Sequence, residues 1–188
     1  QQIRNRGTIG GTICHADPSA DIPCALTALE ADIVIVGPNG ERVVNVKDFF
    51  IDLFTTAVEY NEIVKEIRIP PLPPNSGCAY LKHARRESDF AIVGVAAVIT
   101  MGAENKCERA RIALASVAPT PMRAVEAENE LMGKTLTDDV IDAAAEKATV
   151  GISPPSDIHG SAEYRTDMTK VFTGRVVKLA LSRLQGGG

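Results

Sequence analysis

The sequence is most easily narrowed by what it does not contain. Its four cysteines, Cys14, Cys24, Cys78 and Cys107, include no C-x-x-C pair. Their spacings suit neither a zinc site nor an iron–sulfur cluster bound by this chain. They read as buried or half-buried thiols in a reducing compartment, here the cytoplasm, with no cross-link required. The three histidines, His15, His83 and His159, have no second histidine or carboxylate at ligand spacing, so no metal ligand set and no nucleophile triad are expected. There is no G-x-S-x-G elbow for serine hydrolysis. Basic residues are outnumbered, giving a net charge of −4, and a nucleic-acid or anionic-membrane surface needs the opposite excess. No apolar run approaches the roughly 20 residues that span a bilayer. No charged-then-apolar segment opens the sequence, so no secretory leader is expected. Internal repeats are absent, and the only low-complexity stretch is the terminal Gly186-Gly187-Gly188.

What remains is a chain of 188 residues, 45% of them apolar. That is enough to bury one core or two small ones. The segment Pro70-Pro71-Leu72-Pro73-Pro74-Asn75-Ser76-Gly77 is the clearest internal boundary, because consecutive prolines deny ladder donors and stiffen an extended link. It divides the chain into residues 1–74 and 75–188.

The first part opens on a glycine turn, Gly7-Thr8-Ile9-Gly10-Gly11-Thr12, predicted to feed a short helix over residues 12–16. Glycine lets backbone N–H groups converge, and a helix start adds unsatisfied donors and a positive dipole end. Such a turn either binds a phosphate or is only a turn. Asp17-Pro18-Ser19 then breaks the helix. A second helix is predicted over 21–31, with Pro23 in its first turn and Ile22, Ala25, Leu26 and Leu29 on its core face. The β-branched run 32–37, the Asn39-Gly40 turn and residues 41–46 read as a β-hairpin. Residues 47–54 carry Phe49, Phe50 and Phe54, all expected in the core. Residues 62–69 form a further strand, with Ile63, Ile67 and Ile69 alternating onto one face and Lys65 as the exception.

The second part begins with three predicted strands, 78–84, 91–101 and 108–117. The middle one is apolar throughout and should be central in its sheet. Helices are predicted over 122–132, 137–150 and 161–184. The last places Met168, Phe172, Val176, Leu179 and Ala180 at helical period. The expected fold class is therefore α+β, an antiparallel three-stranded sheet covered by helices on one side.

Several stretches together carry a resemblance. The opening run from Ile3 and Arg4 to Thr12, the segment from His15 to Asp21, Asp48-Phe49-Phe50, residues 62–70, the run from Lys82 to Ala91, and Gly160-Ser161-Ala162-Glu163-Tyr164-Arg165 occur in one order over nearly the whole chain. They resemble the flavoprotein (medium) subunit of molybdenum hydroxylases, the family of aerobic carbon monoxide dehydrogenase and xanthine dehydrogenase. The resemblance implies the C-terminal half of a PCMH-type FAD-binding domain, then a CO dehydrogenase flavoprotein C-terminal-like domain. FAD is the implied cofactor. Its pyrophosphate falls to the glycine turn, namely Thr8, Ile9, Gly10, Gly11 and Thr12. Asp21, which by itself reads as a helix cap, matches an aspartate that holds the cofactor's hydroxyls, and both roles stand. Val64 is by pattern a strand residue and by resemblance an apolar neighbour of the flavin. Lys82 is either an exposed strand-edge lysine or a cation at the flavin site. Arg85, Arg86, Glu87 and Asp89, in the loop after it, either tune that field or form a solvated loop.

The resemblance also implies an electron-transfer oxidoreductase subunit that is inactive without its partners. A molybdenum-binding large subunit oxidises the substrate, a 2Fe-2S small subunit relays electrons, and this chain passes them to an outside acceptor, as part of a dimer of heterotrimers. In the family a further FAD-binding region with its own glycine loop precedes this stretch, and no equivalent loop occurs here. A truncated, non-catalytic core that binds partner subunits without FAD is the alternative, and an unrelated nucleotide-binding regulator a third reading.

Overall fold

Thr8 sets the first helix. In the computed structural model, which describes residues 5–185, Thr8 is extended and its side chain accepts from the Gly11 N–H at 3.0 Å. This N-cap places Gly10 and Gly11 inside helix α1 (Ile9–His15) rather than ahead of it. The helix stops at Ala16, whose φ of 54° is left-handed. Asp17 Oδ1 accepts from the Ser19 N–H and holds the bend. Ile3 and Arg4 of the opening motif, and the glycine tail, lie outside the described residues.

Helix α2 (Asp21–Ala28) is shorter than expected, because Glu30 turns left-handed at φ 53°. Then come strands β1 (Asp32–Gly37) and β2 (Gly40–Asn45), joined through Gly40 at φ 104°. Helix α3 (Val46–Phe49), the short strands β3 (Phe50–Asp52) and β4 (Thr55–Thr56), and strand β5 (Ile63–Arg68) complete the first part. Its main sheet is antiparallel with order β2-β1-β5.

Two expectations fail here for local reasons. The β1–β5 register shifts between Val34 and Ile35. The bulge breaks the alternation, so Val64 and Ile67 turn towards the core while Ile63 is 65% exposed and Ile69 also lies outside. Phe49 and Phe50 are buried, but Phe54 sits at φ 53°, half exposed, with its ring 5.1 Å from that of His15.

The second part contains β6 (Ser76–His83), β7 (Val93–Met101), β8 (Cys107–Ala115) and β9 (Met122–Arg123), in sheet order β6-β7-β8-β9. The three predicted long strands are present, and β7 is central and buried along nearly its whole length. The predicted helix at 122 begins later, since Met122 and Arg123 pair with β8 as the short fourth strand. Helices α4 (Val125–Leu131), α5 (Asp138–Lys147) and α6 (Ala162–Gln185) follow. They pack over one face of the sheet, where Val95, Ile99, Ile112, Leu114, Leu131, Ile141 and Val176 form the main core.

The other face is covered as well. Cys24 and Ala28 of α2 lie against Ala96, Val98, Ala113 and Ala115. These small side chains let the helix approach closely, and Cys24 Sγ donates to the Ala113 carbonyl at 3.2 Å. Helix α2 thus buries two faces, with Leu26 turned into the first core and Cys24 into the second. At its end Glu30 receives Arg109, Arg111 and Arg123 from β8 and β9. Burial pushes the Cys24 thiol up to about 12 and Cys107 to about 11, so both are inert. Cys14 and Cys78, expected to be covered, are exposed, and all four thiols are free.

Candidate functional site

The first helical turn of α1 carries donors that the described residues do not use. An α-helix leaves its first N–H groups without intrahelical partners. The Gly11 N–H is taken by the Thr8 hydroxyl and the Thr12 N–H by the Thr8 carbonyl. Among the described residues nothing accepts from the Ile9 or Gly10 N–H. The Thr8 hydroxyl keeps its hydrogen free to donate, whereas that of Thr12 is given to the Thr8 carbonyl at 3.0 Å. A β-carbon built on Gly10 meets nothing within 4 Å. Its backbone is outside the left-handed region, so among the described residues neither packing nor strain asks for glycine there. Glycine in a helix is disfavoured against alanine by about 0.5–1 kcal/mol. The residue that gives the backbone an open approach at this turn is therefore unexplained by the fold alone. Gly11 differs, since its β-carbon would sit 3.0 Å from Thr8 Oγ1 and disturb the cap.

Asp21 and Lys82 belong to different parts of the chain and meet in space. Asp21 is the first residue of α2, where a carboxylate complements the dipole, but it caps nothing. Both of its oxygens are held from β6 instead. Tyr80 Oη donates to Oδ1 at 2.7 Å and Lys82 Nζ donates to Oδ2 at 2.9 Å. Tyr80 and Lys82 are two residues apart on one strand and so share a face. Lys82 Nζ also donates to the Asp89 carbonyl at 2.9 Å, which ties the loop after β6 to the same cation. The Lys82 side chain is 17% exposed and that of Asp21 44%. The lysine is therefore no exposed strand-edge residue, and the carboxylate keeps lone pairs open to solvent.

Val64 lies apart from that pair, half-buried against the first core with Ile13 and Phe49. In the loop after Lys82, Arg85, Arg86 and Glu87 are exposed. Arg85 and Asp89 line a cleft of about 450 Å³ together with Asp157, His159 and the buried Arg165. Arg165 Nη2 holds Asp157 at 2.7 Å. Among the described residues no group of histidine, cysteine and carboxylate side chains forms a metal site. Tyr80 was missed by sequence reasoning, though strand alternation from Lys82 points to it.

An unused pair of backbone donors beside an uncrowded glycine, a carboxylate with spare acceptors, and a covered lysine suit a ligand that carries phosphate and hydroxyl groups. Comparison with known proteins supplies the family. The family described as FAD binding domain in molybdopterin dehydrogenase matches residues 1–72, and the CO dehydrogenase flavoprotein C-terminal domain matches residues 78–180. The chain belongs to this family of FAD-binding medium subunits of molybdenum hydroxylases.

It is 41% identical over 181 residues to the carbon monoxide dehydrogenase medium chain of Hydrogenophaga pseudoflava, covering 96% of this chain and 61% of that one. It is 40% identical over 182 residues to the 6-hydroxypseudooxynicotine dehydrogenase complex subunit alpha of Paenarthrobacter nicotinovorans, covering 97% and 62%. Among solved structures, a carbon monoxide dehydrogenase from Hydrogenophaga pseudoflava that lacks the Mo-pyranopterin moiety superimposes with a TM-score of 0.93 at 41% identity, over 97% of this chain and 63% of that one. The chain spans about 62% of the length of the curated relatives it matches.

FAD is the cofactor these domains bind, and the residues present fit it. The Ile9 and Gly10 N–H groups suit a pyrophosphate, Asp21 suits hydroxyl groups, and Lys82 supplies a fixed positive charge.

Proposed function

We propose that this chain is the FAD-binding, electron-transfer part of a molybdenum-containing hydroxylase or dehydrogenase. In that reading a molybdenum-binding large subunit oxidises the substrate. Electrons leave through the 2Fe-2S clusters of a small subunit and pass through this chain to an external acceptor. The complex is a cytoplasmic dimer of such heterotrimers, and the boundary between the two domains falls within residues 70–77. No described helix is long and apolar enough to cross a membrane.

The observation that carries the reading is the Asp21–Lys82 pair, which joins a residue of the FAD-binding part to one of the C-terminal part. When bound, FAD supplies a redox centre that exchanges electrons one or two at a time. The chain's own residues do the rest. Thr8, Ile9, Gly10, Gly11 and Thr12 form the pyrophosphate turn, with Gly10 leaving the approach open and Thr8 holding the turn's shape. Asp21 accepts from the cofactor's hydroxyl groups. Lys82, desolvated and fixed by Asp21 and the Asp89 carbonyl, favours negative charge nearby. Val64 contributes an apolar wall that excludes water.

Anaerobic mixing tests this directly. The intact subunit, loaded with FAD and combined with its large and small partner subunits, is given substrate, and flavin absorption is followed. Loss of the flavin bands that depends on the 2Fe-2S subunit supports the assignment. Flavin that stays oxidised while the clusters become reduced contradicts it.

A further inference from the structure

The Asp21 carboxylate is held by more than its salt bridge. A single lysine contact leaves an aspartate free to turn about its last torsion, which is broad and roughly two-fold. Here each oxygen has its own donor. Lys82 takes Oδ2 and Tyr80 takes Oδ1, both from one face of β6. The Tyr80 ring packs with Leu29 against the small-residue cluster of Cys24, Ala28, Ala96 and Ala113 between α2 and the sheet. That seat brings the ring across β7. Gly94, which pairs with Lys82 in the β6–β7 register, lies beneath it. A β-carbon at Gly94 would stand 2.5 Å from Tyr80 Oη and 3.3 Å from its Cζ. Gly94 is not left-handed, so the room it makes for the hydroxyl accounts for the glycine. Burial also pushes the Tyr80 pKa up, which keeps it a neutral donor.

We propose that Tyr80 is a positioning residue of the cofactor site. Its hydroxyl locks the Asp21 carboxylate in one orientation, with its remaining lone pairs presented to the cofactor's hydroxyl groups, and Gly94 keeps the space that this requires. The inference rests on the reading of Asp21 as a cofactor ligand. It adds a residue that acts through the ligand-bearing side chain.

The test is a double-mutant cycle on the intact subunit, with FAD dissociation constants measured by fluorescence titration for the parent, Tyr80→Phe, Asp21→Ala and the double variant. Phenylalanine keeps the ring in its seat and removes only the hydroxyl. Tyr80→Phe should raise the FAD Kd about tenfold when Asp21 is present, and less than about twofold in the Asp21→Ala background. A tyrosine that serves only the packing between α2 and the sheet would give the same change in both backgrounds, and that result overturns the proposal. So does a Kd unmoved by Tyr80→Phe while Asp21→Ala weakens binding. If Asp21→Ala leaves FAD affinity unchanged, the cofactor-ligand reading itself falls and the proposal with it. Gly94→Ala is the second perturbation. It crowds the hydroxyl while keeping the tyrosine, and it should weaken FAD in the parent but add little to Tyr80→Phe.

Discussion

Replacing Gly10 with alanine should move stability and cofactor affinity in opposite directions. In the structure Gly10 lies in the first turn of α1 with ordinary backbone, and an added β-carbon meets no atom within 4 Å. The substitution therefore introduces no clash. It removes the helix penalty of glycine, and the gain should be up to about 1 kcal/mol in the absence of ligand. For a chain of this size each kcal/mol moves the thermal midpoint by roughly 2–4 °C, so the apo protein should melt a few degrees higher. The same methyl group occupies the open approach to the Ile9 and Gly10 N–H groups. Loss of one charge-assisted hydrogen bond there is worth roughly 1.5–3 kcal/mol, so FAD affinity should fall by about ten- to a hundredfold. Calorimetry of the apo protein and FAD titration of the same preparation read the two effects. A raised melting point with unchanged FAD affinity would refute the assignment of the turn to the pyrophosphate. A lowered apo melting point would refute the claim that glycine is there for something outside the fold.

Other perturbations probe the rest of the account. Lys82→Met should lower stability by only about 1 kcal/mol, because the nearly half-exposed Asp21 can be rehydrated. It should shift the bound flavin's reduction potential downward, and a potential and FAD occupancy both unchanged would remove Lys82 from the site. Burial alone would raise the Glu30 pKa, but hydrogen bonds and charge from Arg111, Arg123 and Arg109 outweigh it and hold the carboxyl below its ordinary value of 4.5. A depressed folded pKa means that this stabilisation is full above the unfolded value and fades as pH falls through the folded one. Glu30→Gln should therefore lower stability by about 1–3 kcal/mol at neutral pH, with the deficit shrinking below about pH 4.5; urea melts across that range measure it, and a constant deficit would contradict the cluster's role. At Gly77 a β-carbon would overlap the Ala180 carbonyl of α6. Gly77→Ala should force the helix off the sheet and lower stability by roughly 1–3 kcal/mol or more, read in the same urea melts.

Much of the architecture is legible where local pattern and tertiary context agree. The Asn39-Gly40 hairpin, the unbroken apolar run that becomes central β7, and the helical period of the final helix all read directly from residue order. The misses share a cause, which is long-range geometry overriding local pattern. The β1–β5 register skips Lys65 between Val34 and Ile35, which keeps Ile67 on the core side but brings Val64 there in place of Ile63, and strict alternation within residues 63–68 does not report such a bulge. Helix α2 shows a blurred amphipathic pattern because it is buried on two sides, by cores that lie in different parts of the chain. Phe54 reads as core by type, yet its left-handed backbone turns it outward. The glycine turn, Asp21 and Lys82 stand out in the sequence through the family resemblance. Their physical relation does not, because Asp21 and Lys82 are 61 positions apart. Tyr80 carries no motif of its own and becomes visible only when the strand is placed against α2.

The most direct measurement is a visible absorption spectrum of the purified chain, recorded before and after incubation with FAD and removal of free cofactor by gel filtration. Oxidised-flavin bands that co-elute with the protein, and that are lost when Asp21 and Gly10 are replaced together, are the predicted result. A folded, colourless protein that retains no FAD would contradict the claim that the residues gathered here are a working cofactor site.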